Sequence, residues 1–170
     1  KRADALESER NAIKERSPVT HIQEEVKGAK PMAYVLMRGQ YDRKGDQVEA
    51  NPPAFLNPMP EGAPRNRLGL AHWLVGAENP LTARVTVNRL FQMLFGHGIV
   101  TTPEDFGLRA ALPSHPELLD WLAVEFQGGG WDVKALLRKL VTSKTYRQSA
   151  NVSASLLERD PENVLLARGP

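Results

Sequence analysis

Six polar side chains of types that carry chemistry in proteins lie between residues 84 and 147: Arg84, His97, Asp105, His115, Tyr146 and Arg147. An imidazole exchanges a proton near neutral pH, a carboxylate can act as a base, and tyrosine and arginine can bind a substrate. No nucleophile elbow, phosphate-binding loop or dinucleotide fingerprint accompanies them. They are therefore candidates for acid–base catalysis or ligand binding. No motif in the sequence indicates a particular reaction.

Arg84 has both a structural and a functional interpretation. It is predicted on a helix beside Phe91 and Phe95, where a buried guanidinium needs an acceptor. The predicted acceptor is the carboxylate of Asp105 or Glu104, in a turn after this helix, or a backbone carbonyl. If that carboxylate is buried, Arg84→Met should lower the free energy of unfolding by on the order of 3 kcal/mol. The structural contact is the favoured interpretation, and ligand binding is the alternative.

The other candidates are also open to two interpretations. His97 is flanked by two glycines just after a predicted helix, and His115 lies at a helix start, where the dipole favours a neutral imidazole. A single histidine in such a place is more often a surface or capping residue than a catalytic one. Asp105 can accept amide hydrogen bonds in its turn. Tyr146 and Arg147 can line a pocket or finish a helix.

Composition limits the cofactors and partners that the chain can bind. Cysteine is absent, and the four histidines lack metal-ligand spacing, so the sequence predicts no haem, no metal and no other cofactor held by its own residues. The 22 basic and 20 acidic residues are nearly balanced, which argues against a nucleic-acid partner. An anionic glycan stays open as a partner, because a local basic patch can exist in a balanced total. No apolar run is long enough to span a membrane.

The elements that must position these residues fall into three predicted parts. Residues 1–17 read as a charged helical lead-in, and residues 18–65 as short strands followed by a connector rich in proline. Residues 66–170 read as a helical domain, with helices that begin at capping residues and end at glycines. The predicted fold class is mainly α: a short-helix bundle with a small β-containing, Pro-rich N-terminal extension.

Capping signals set the predicted helix boundaries. The predicted caps are Asn66, Asn79 before Pro80, Ser114 in a capping box with Glu117, and Asp132. Two further short helices are predicted at 153–159 and 161–167. After Asp132 an apolar stripe is expected to face the core; its leucines are Leu136, Leu137 and Leu140, with Leu118, Trp121 and Leu122 as expected neighbours.

The β structure is predicted within residues 18–50, where short apolar runs alternate with glycines. The strongest strand candidate runs from Tyr34 to Tyr41, and the strongest turn candidate from Asp42 to Gly45. The runs around Val19 and Ile22 are weaker strand candidates.

Several strings in the helical part resemble one family. They are N-R-L-G-L-A-H-W-L from Asn66, N-P-L-T-A-R-V-T-V-N-R from Asn79, F-G-H-G-I-V-T-T-P-E-D-F-G from Phe95, P-S-H-P-E-L-L-D-W-L-A from Pro113, G-W-D-V-K-A-L from Gly130 and V-T-S-K-T-Y-R-Q-S from Val141. Together they are similar to the planctomycete-specific domain catalogued as domain of unknown function 1553, over roughly residues 20–170.

The resemblance implies in which kind of protein the domain occurs and where that protein is located, but it implies no reaction. Such domains are C-terminal modules of large exported proteins, periplasmic or at the cell surface, which often carry cytochrome c-like domains upstream. The chain is accordingly expected to be a fragment of a multidomain polypeptide, truncated at its C-terminus, whose other domains are its partners. No catalytic residue follows from the resemblance.

Two hypotheses of function follow from the sequence. The first is a structural or interaction domain, because capping and core packing explain most of the polar residues. The second is an enzyme domain that acts on polysaccharide or in a haem-linked oxidation, with a polar pocket around Arg84, His97 and Tyr146. The polar residues Asn88, Arg89 and Glu104 add to the enzyme hypothesis. Whether these side chains converge on one concave pocket distinguishes the two.

Overall fold

The computed structural model of the chain describes residues 2–24, 26, 28 and 32–170. The chain forms two units, one ending at Glu49 and one spanning Ala50–Pro170. Within the described residues there are six α-helices and one two-stranded sheet, which confirms the mainly α prediction with a small β-containing N-terminal region. Of the helices in this described part, none combines the length and apolar character that crossing a bilayer requires.

The first unit contains one helix and one hairpin. Helix α1 (Arg2–Arg16) has no buried residue, as its charged sequence predicts; Lys1, the first residue of the predicted lead-in, lies outside the described residues. Strands β1 (Ala33–Leu36) and β2 (Lys44–Val48) pair antiparallel, with Ala33 opposite Val48.

The strand prediction for Tyr34–Tyr41 is right only in its first half. After Leu36 the chain enters a single 3₁₀ turn, Met37–Gly39, in which Arg38 has a φ of 54°. A left-handed residue cannot continue a strand, so the chain begins to reverse here. The reversal ends in a turn at residues 41–42, and Lys44 and Gly45 of the predicted turn already lie in β2. The runs around Val19 and Ile22 form no strand in the described residues, and both side chains are exposed.

The second unit contains the remaining helices. They are α2 (Arg67–Val75), α3 (Thr82–Phe95), α4 (Pro116–Gly128), α5 (Val133–Thr142) and α6 (Ala154–Arg159). Residues 51–65 form turns and extended segments, as their prolines predict, and contact α2 through the hydrogen bond from Trp73 Nε1 to Asn57 O at 2.8 Å. A Cβ on Gly69 would lie 1.8 Å from the carbonyl oxygen of Pro64, so only glycine fits where connector and helix meet.

Two predicted helix caps are confirmed by hydrogen bonds, and the third, Asn79, lies two residues before Leu81, the actual N-cap of α3. Asn66 accepts from Gly69 N at 3.1 Å, and Asp132 accepts from Ala135 N at 2.9 Å. Asn79 accepts from the amides of both Leu81 and Thr82, although α3 begins two residues later than the Asn79–Pro80 pattern predicts. These caps are local, and their side chains satisfy amides that the helix leaves free.

Two other predictions about the helices are wrong. The capping box at Ser114 is absent, because Ser114 is bound through N and Oγ to the carbonyl of Ile99. The cap position is His115, whose side chain makes no capping hydrogen bond to the helix. The predicted helix at 161–167 is a pair of turns. The buried Asp160 carboxylate accepts from Val164 N at 2.8 Å and Leu165 N at 2.9 Å, which fixes these turns.

The core of the second unit lies where α3, α4 and α5 meet. Its buried members are Val87, Phe91, Phe95, Ile99, Val100, Leu119, Leu122, Phe126, Leu136 and Leu140. Of the predicted stripe, Leu136 and Leu140 are buried and Leu137 is half-buried. Trp121 is 50% exposed, so its assignment beside the core is wrong. Its ring instead lies under the ammonium of Lys139 on α5.

Candidate functional site

A cavity of about 430 Å³ lies between α3, α4 and the loop of residues 106–113. Its lining is mostly apolar and includes Leu81, Val100, Phe106, Leu112, Pro116 and Leu119. Its charged lining residues are Arg84 from α3 and Asp120 from α4. This volume is within the range of about 300–1,000 Å³ that is typical of ligand sites, so the cavity is the candidate site that the fold offers to Arg84.

Arg84 makes the structural contact that the sequence predicts, but with another partner. Its Nε donates to Asp120 Oδ1 at 2.6 Å, and its Nη1 donates to the carbonyl of Pro80. The predicted partners Asp105 and Glu104 are wrong, because α4 packs along α3 and brings Asp120 to the guanidinium first. Arg84 therefore joins two helices at the rim of the cavity instead of fixing the 102–107 turn.

Asp105 is engaged within its own turn. Its Oδ1 accepts from Gly107 N at 2.8 Å, and its carbonyl accepts from Thr102 Oγ1 at 2.9 Å. This is the structural role that the sequence offers as an explanation of Asp105, since a short acid commonly binds the amide two residues on. Glu104 beside it is exposed.

Asn88 has the most complete set of contacts among the polar residues of the enzyme hypothesis. Its side chain is fully buried, and its amide Nδ2 donates to Val100 O at 2.9 Å while Oδ1 accepts from Val100 N at 2.8 Å. A side chain thus pairs with the backbone as a neighbouring strand would. The next residue along the chain, Arg89, is exposed.

The two histidines occupy different surroundings. His97 is exposed and lines a small cavity of about 20 Å³, together with Phe95, Ser114 and Asn163 among others. His115 is half-buried, and its Nδ1 lies 3.0 Å from Ser114 Oγ.

Tyr146 and Arg147 follow α5. The Tyr146 ring packs edge-on against Phe95, with 5.4 Å between ring centroids, and its amide donates to Ser143 Oγ. Arg147 is exposed. Tyr146 is therefore a packing residue at the edge of the core.

The predicted pocket around Arg84, His97 and Tyr146 is not assembled in either of the two cavities described above. Arg84 lines the larger cavity, His97 lines the small one, and Tyr146 lines neither. The candidate residues are distributed over several places on the same helical unit.

Residues 66–170 of the chain match one known protein family. This range fits the family described as "Protein of unknown function (DUF1553)". The chain belongs to this family. The match confirms the resemblance to domain 1553 over residues 66–170, and it covers α2 to α6 with every candidate residue, so the cavity lies within the DUF1553 domain. No curated protein and no solved structure matches the chain.

Sequence reasoning missed two long-range contacts of the DUF1553 domain. Asp120, the partner of Arg84, is a single acid in the apolar stretch of α4, and that isolation was its only signal. Trp121 and Lys139 form a cation–π pair on the surface, with the Lys139 Nζ atom 4.8 Å from the centroid of the indole ring. No local sequence pattern predicts this pair, because 18 positions separate the two residues. Among the described residues, no group of three His, Asp or Glu side chains is placed to hold a metal.

Proposed function

We propose that the DUF1553 domain is a structural and interaction module of a larger exported planctomycete protein. In this proposal its partners are other domains of the same polypeptide, among them cytochrome c-like domains, and its location is periplasmic or at the cell surface. The setting comes from the family resemblance, and the role comes from the way in which the polar residues are used.

The observation that carries the role is that four of the polar side chains considered above make contacts within the fold. Arg84 joins α3 to α4, Asn88 holds the Val100 backbone, and Asp105 closes its own turn. Tyr146 packs against Phe95. Polar groups committed to such contacts stabilise one conformation of a surface, which is what a docking module requires.

The exposed apolar loop beside the cavity supports an interaction role. Leu108 is fully exposed and Leu112 is 91% exposed, and Leu112 also lines the cavity. Apolar side chains held in water next to an apolar concavity are typical of a surface that a partner covers. The loop of residues 106–113 with its cavity is therefore the proposed contact surface.

Hydrogen–deuterium exchange tests the proposal on the larger polypeptide and on the 170-residue chain alone. We expect the amides of residues 108–112 to exchange at least tenfold more slowly in the larger polypeptide, because a neighbouring domain covers them. The amides of Gly128–Gly130, at the other end of α4, serve as the internal reference. Equal exchange of residues 108–112 in both proteins would overturn the proposal.

Substitutions in the proposed contact surface, compared with a control variant, test the same proposal. Leu108→Ser with Leu112→Ser should abolish the slowed exchange in the larger polypeptide without changing stability, since both side chains are exposed. Met93→Ser, on α3 and 77% exposed, is the matched control that should retain it. Loss of the slowed exchange in the control as well would contradict the assignment to this loop.

A further inference from the structure

A basic groove lies along α5, away from the loop of the proposed contact surface. It has a volume of about 430 Å³ and is lined by Asp132, Lys134, Ala135, Arg138 and Lys139. A second cavity of about 160 Å³ shares Asp132, Ala135 and Lys139 with it and reaches Glu125 and Phe126 on α4. The groove is shallow, because its lining residues all come from α5 and its cap, and the second cavity continues it to α4.

Both carboxylates at this groove accept a hydrogen bond, and one of the three cations is already paired. Asp132 caps α5 through the amide of Ala135 at 2.9 Å, and Glu125 forms an ion pair with Lys139. Lys134 and Arg138 are exposed and have no ion pair within the part of the chain that the structure describes. They stand one helical turn apart on the same face, where like charges destabilise a helix by about 0.2–0.5 kcal/mol. A bound anion relieves this repulsion.

An exposed aromatic ring adjoins the groove. Trp121 is 50% exposed, and the Lys139 ammonium that lines the groove lies 4.8 Å from its ring centroid. An indole in this position offers a flat apolar surface, with a polar N–H at its edge. The site therefore combines two unpaired cations with a surface suited to the C–H face of a sugar ring.

We propose that this α5 groove binds an acidic oligosaccharide, a chain of sugar rings that carry carboxylate or sulfate groups. Lys134 and Arg138 bind the acidic groups of successive units, since their Cβ atoms are about 6 Å apart, comparable with the length of one sugar unit. Trp121 packs against a ring, and Lys139, paired with Glu125, holds the Trp121 ring beside the groove. A nucleic acid is disfavoured because it needs a longer basic surface, and the whole chain has a net charge of only +2.

Calorimetric titration of the 170-residue chain separates the ligand classes. The probes are tetragalacturonate, a sulfated carrageenan tetrasaccharide, neutral cellotetraose, inorganic sulfate and a twelve-nucleotide oligothymidylate. We expect one or both acidic sugars to bind at least tenfold more tightly than cellotetraose and sulfate, and the two acidic probes distinguish a carboxylate from a sulfate preference. Equal affinity for cellotetraose, sulfate or the oligonucleotide, or no binding of either acidic sugar at millimolar concentration, would overturn the proposal.

Variants locate the binding to the groove. Lys134→Gln with Arg138→Gln should weaken acidic-sugar binding at least tenfold, because it removes both unpaired cations. Arg89→Gln with Arg109→Gln is the matched control, since it removes the same charge from exposed positions elsewhere in the domain. Equal loss in both double variants would show a non-specific charge effect and overturn the assignment.

A separate variant tests the contribution of the Trp121 ring to sugar affinity. Trp121→Ala should weaken binding of the acidic sugar at least threefold and leave the weak binding of inorganic sulfate unchanged, because a free anion has no ring to pack against the indole. A far-ultraviolet circular dichroism spectrum and melting temperature equal to those of the unmodified chain confirm that this variant is folded. Unchanged sugar affinity in a folded Trp121→Ala protein would overturn the proposal that the ligand is an oligosaccharide packed on Trp121.

Discussion

Asn88 and Val100 exchange two hydrogen bonds across a separation of twelve residues, and both residues are buried. The pair holds the chain just after it leaves α3, at the start of the loop that lines the larger cavity. Ser114 N then donates to Ile99 O at 2.8 Å, so the end of the loop returns to its beginning. The loop of the proposed contact surface is thus closed at its base by contacts of Asn88 and Ser114.

Asn88→Ala should lower the free energy of unfolding by about 2–5 kcal/mol, because it leaves a buried amide and carbonyl of Val100 unpaired and removes packed volume. Urea denaturation followed by circular dichroism measures the change. Arg89→Ala, on the exposed side of the same helix, is the control and should change stability by less than about 0.5 kcal/mol. Similar midpoints for Asn88→Ala and the control would show that the pair does not hold the loop.

Gly98→Ala should also destabilise the domain, and its effect should depend on Asn88. A Cβ at Gly98 would lie 2.5 Å from Val100 O and 2.7 Å from Asn88 Nδ2, so the asparagine or the loop must move. Because the two substitutions disturb one contact, the double variant Asn88→Ala with Gly98→Ala should cost less than the sum of the singles, by about 0.5–3 kcal/mol. Simple additivity in urea denaturation would contradict this coupling.

Arg84→Met should cost less than about 1 kcal/mol, well below the loss of on the order of 3 kcal/mol expected for a buried pair. The side chains of Arg84 and Asp120 are 34% and 56% exposed, so water screens their charges. The measurement is urea denaturation at low and high salt, and the difference between variant and parent should shrink as salt rises. A loss of several kcal/mol that is independent of salt would show that this pair behaves as a buried one.

Leu140→Ala should lower the free energy of unfolding by about 2–5 kcal/mol, because Leu140 is 5% exposed and lies in the core. Leu157→Ala on α6 removes the same atoms from a side chain that is 48% exposed, and should cost much less. Urea midpoints of the two variants give the comparison. Equal midpoints would contradict the burial assigned to the α5 stripe.

Local signals predicted the helices well and long-range contacts poorly. Asn66 and Asp132 act within three residues of themselves, so their caps could be read from the sequence. The partner of Arg84 could not, because 36 residues separate it from Asp120 and only the packing of α3 on α4 selects that acid. The same limit explains Ser114, whose capping pattern was overridden by its contact with Ile99.

The closed base of the 106–113 loop has a consequence for the engineering of this domain. A chain that is fastened on both sides of an exposed segment can be cut or lengthened within it, because its termini at the cut stay anchored. Arg109 is exposed within this segment, so trypsin should nick the folded domain there and leave two pieces joined by the α3–α4 core. The same segment is the place at which a reporter protein can be inserted, or new termini created, while the helices keep their arrangement.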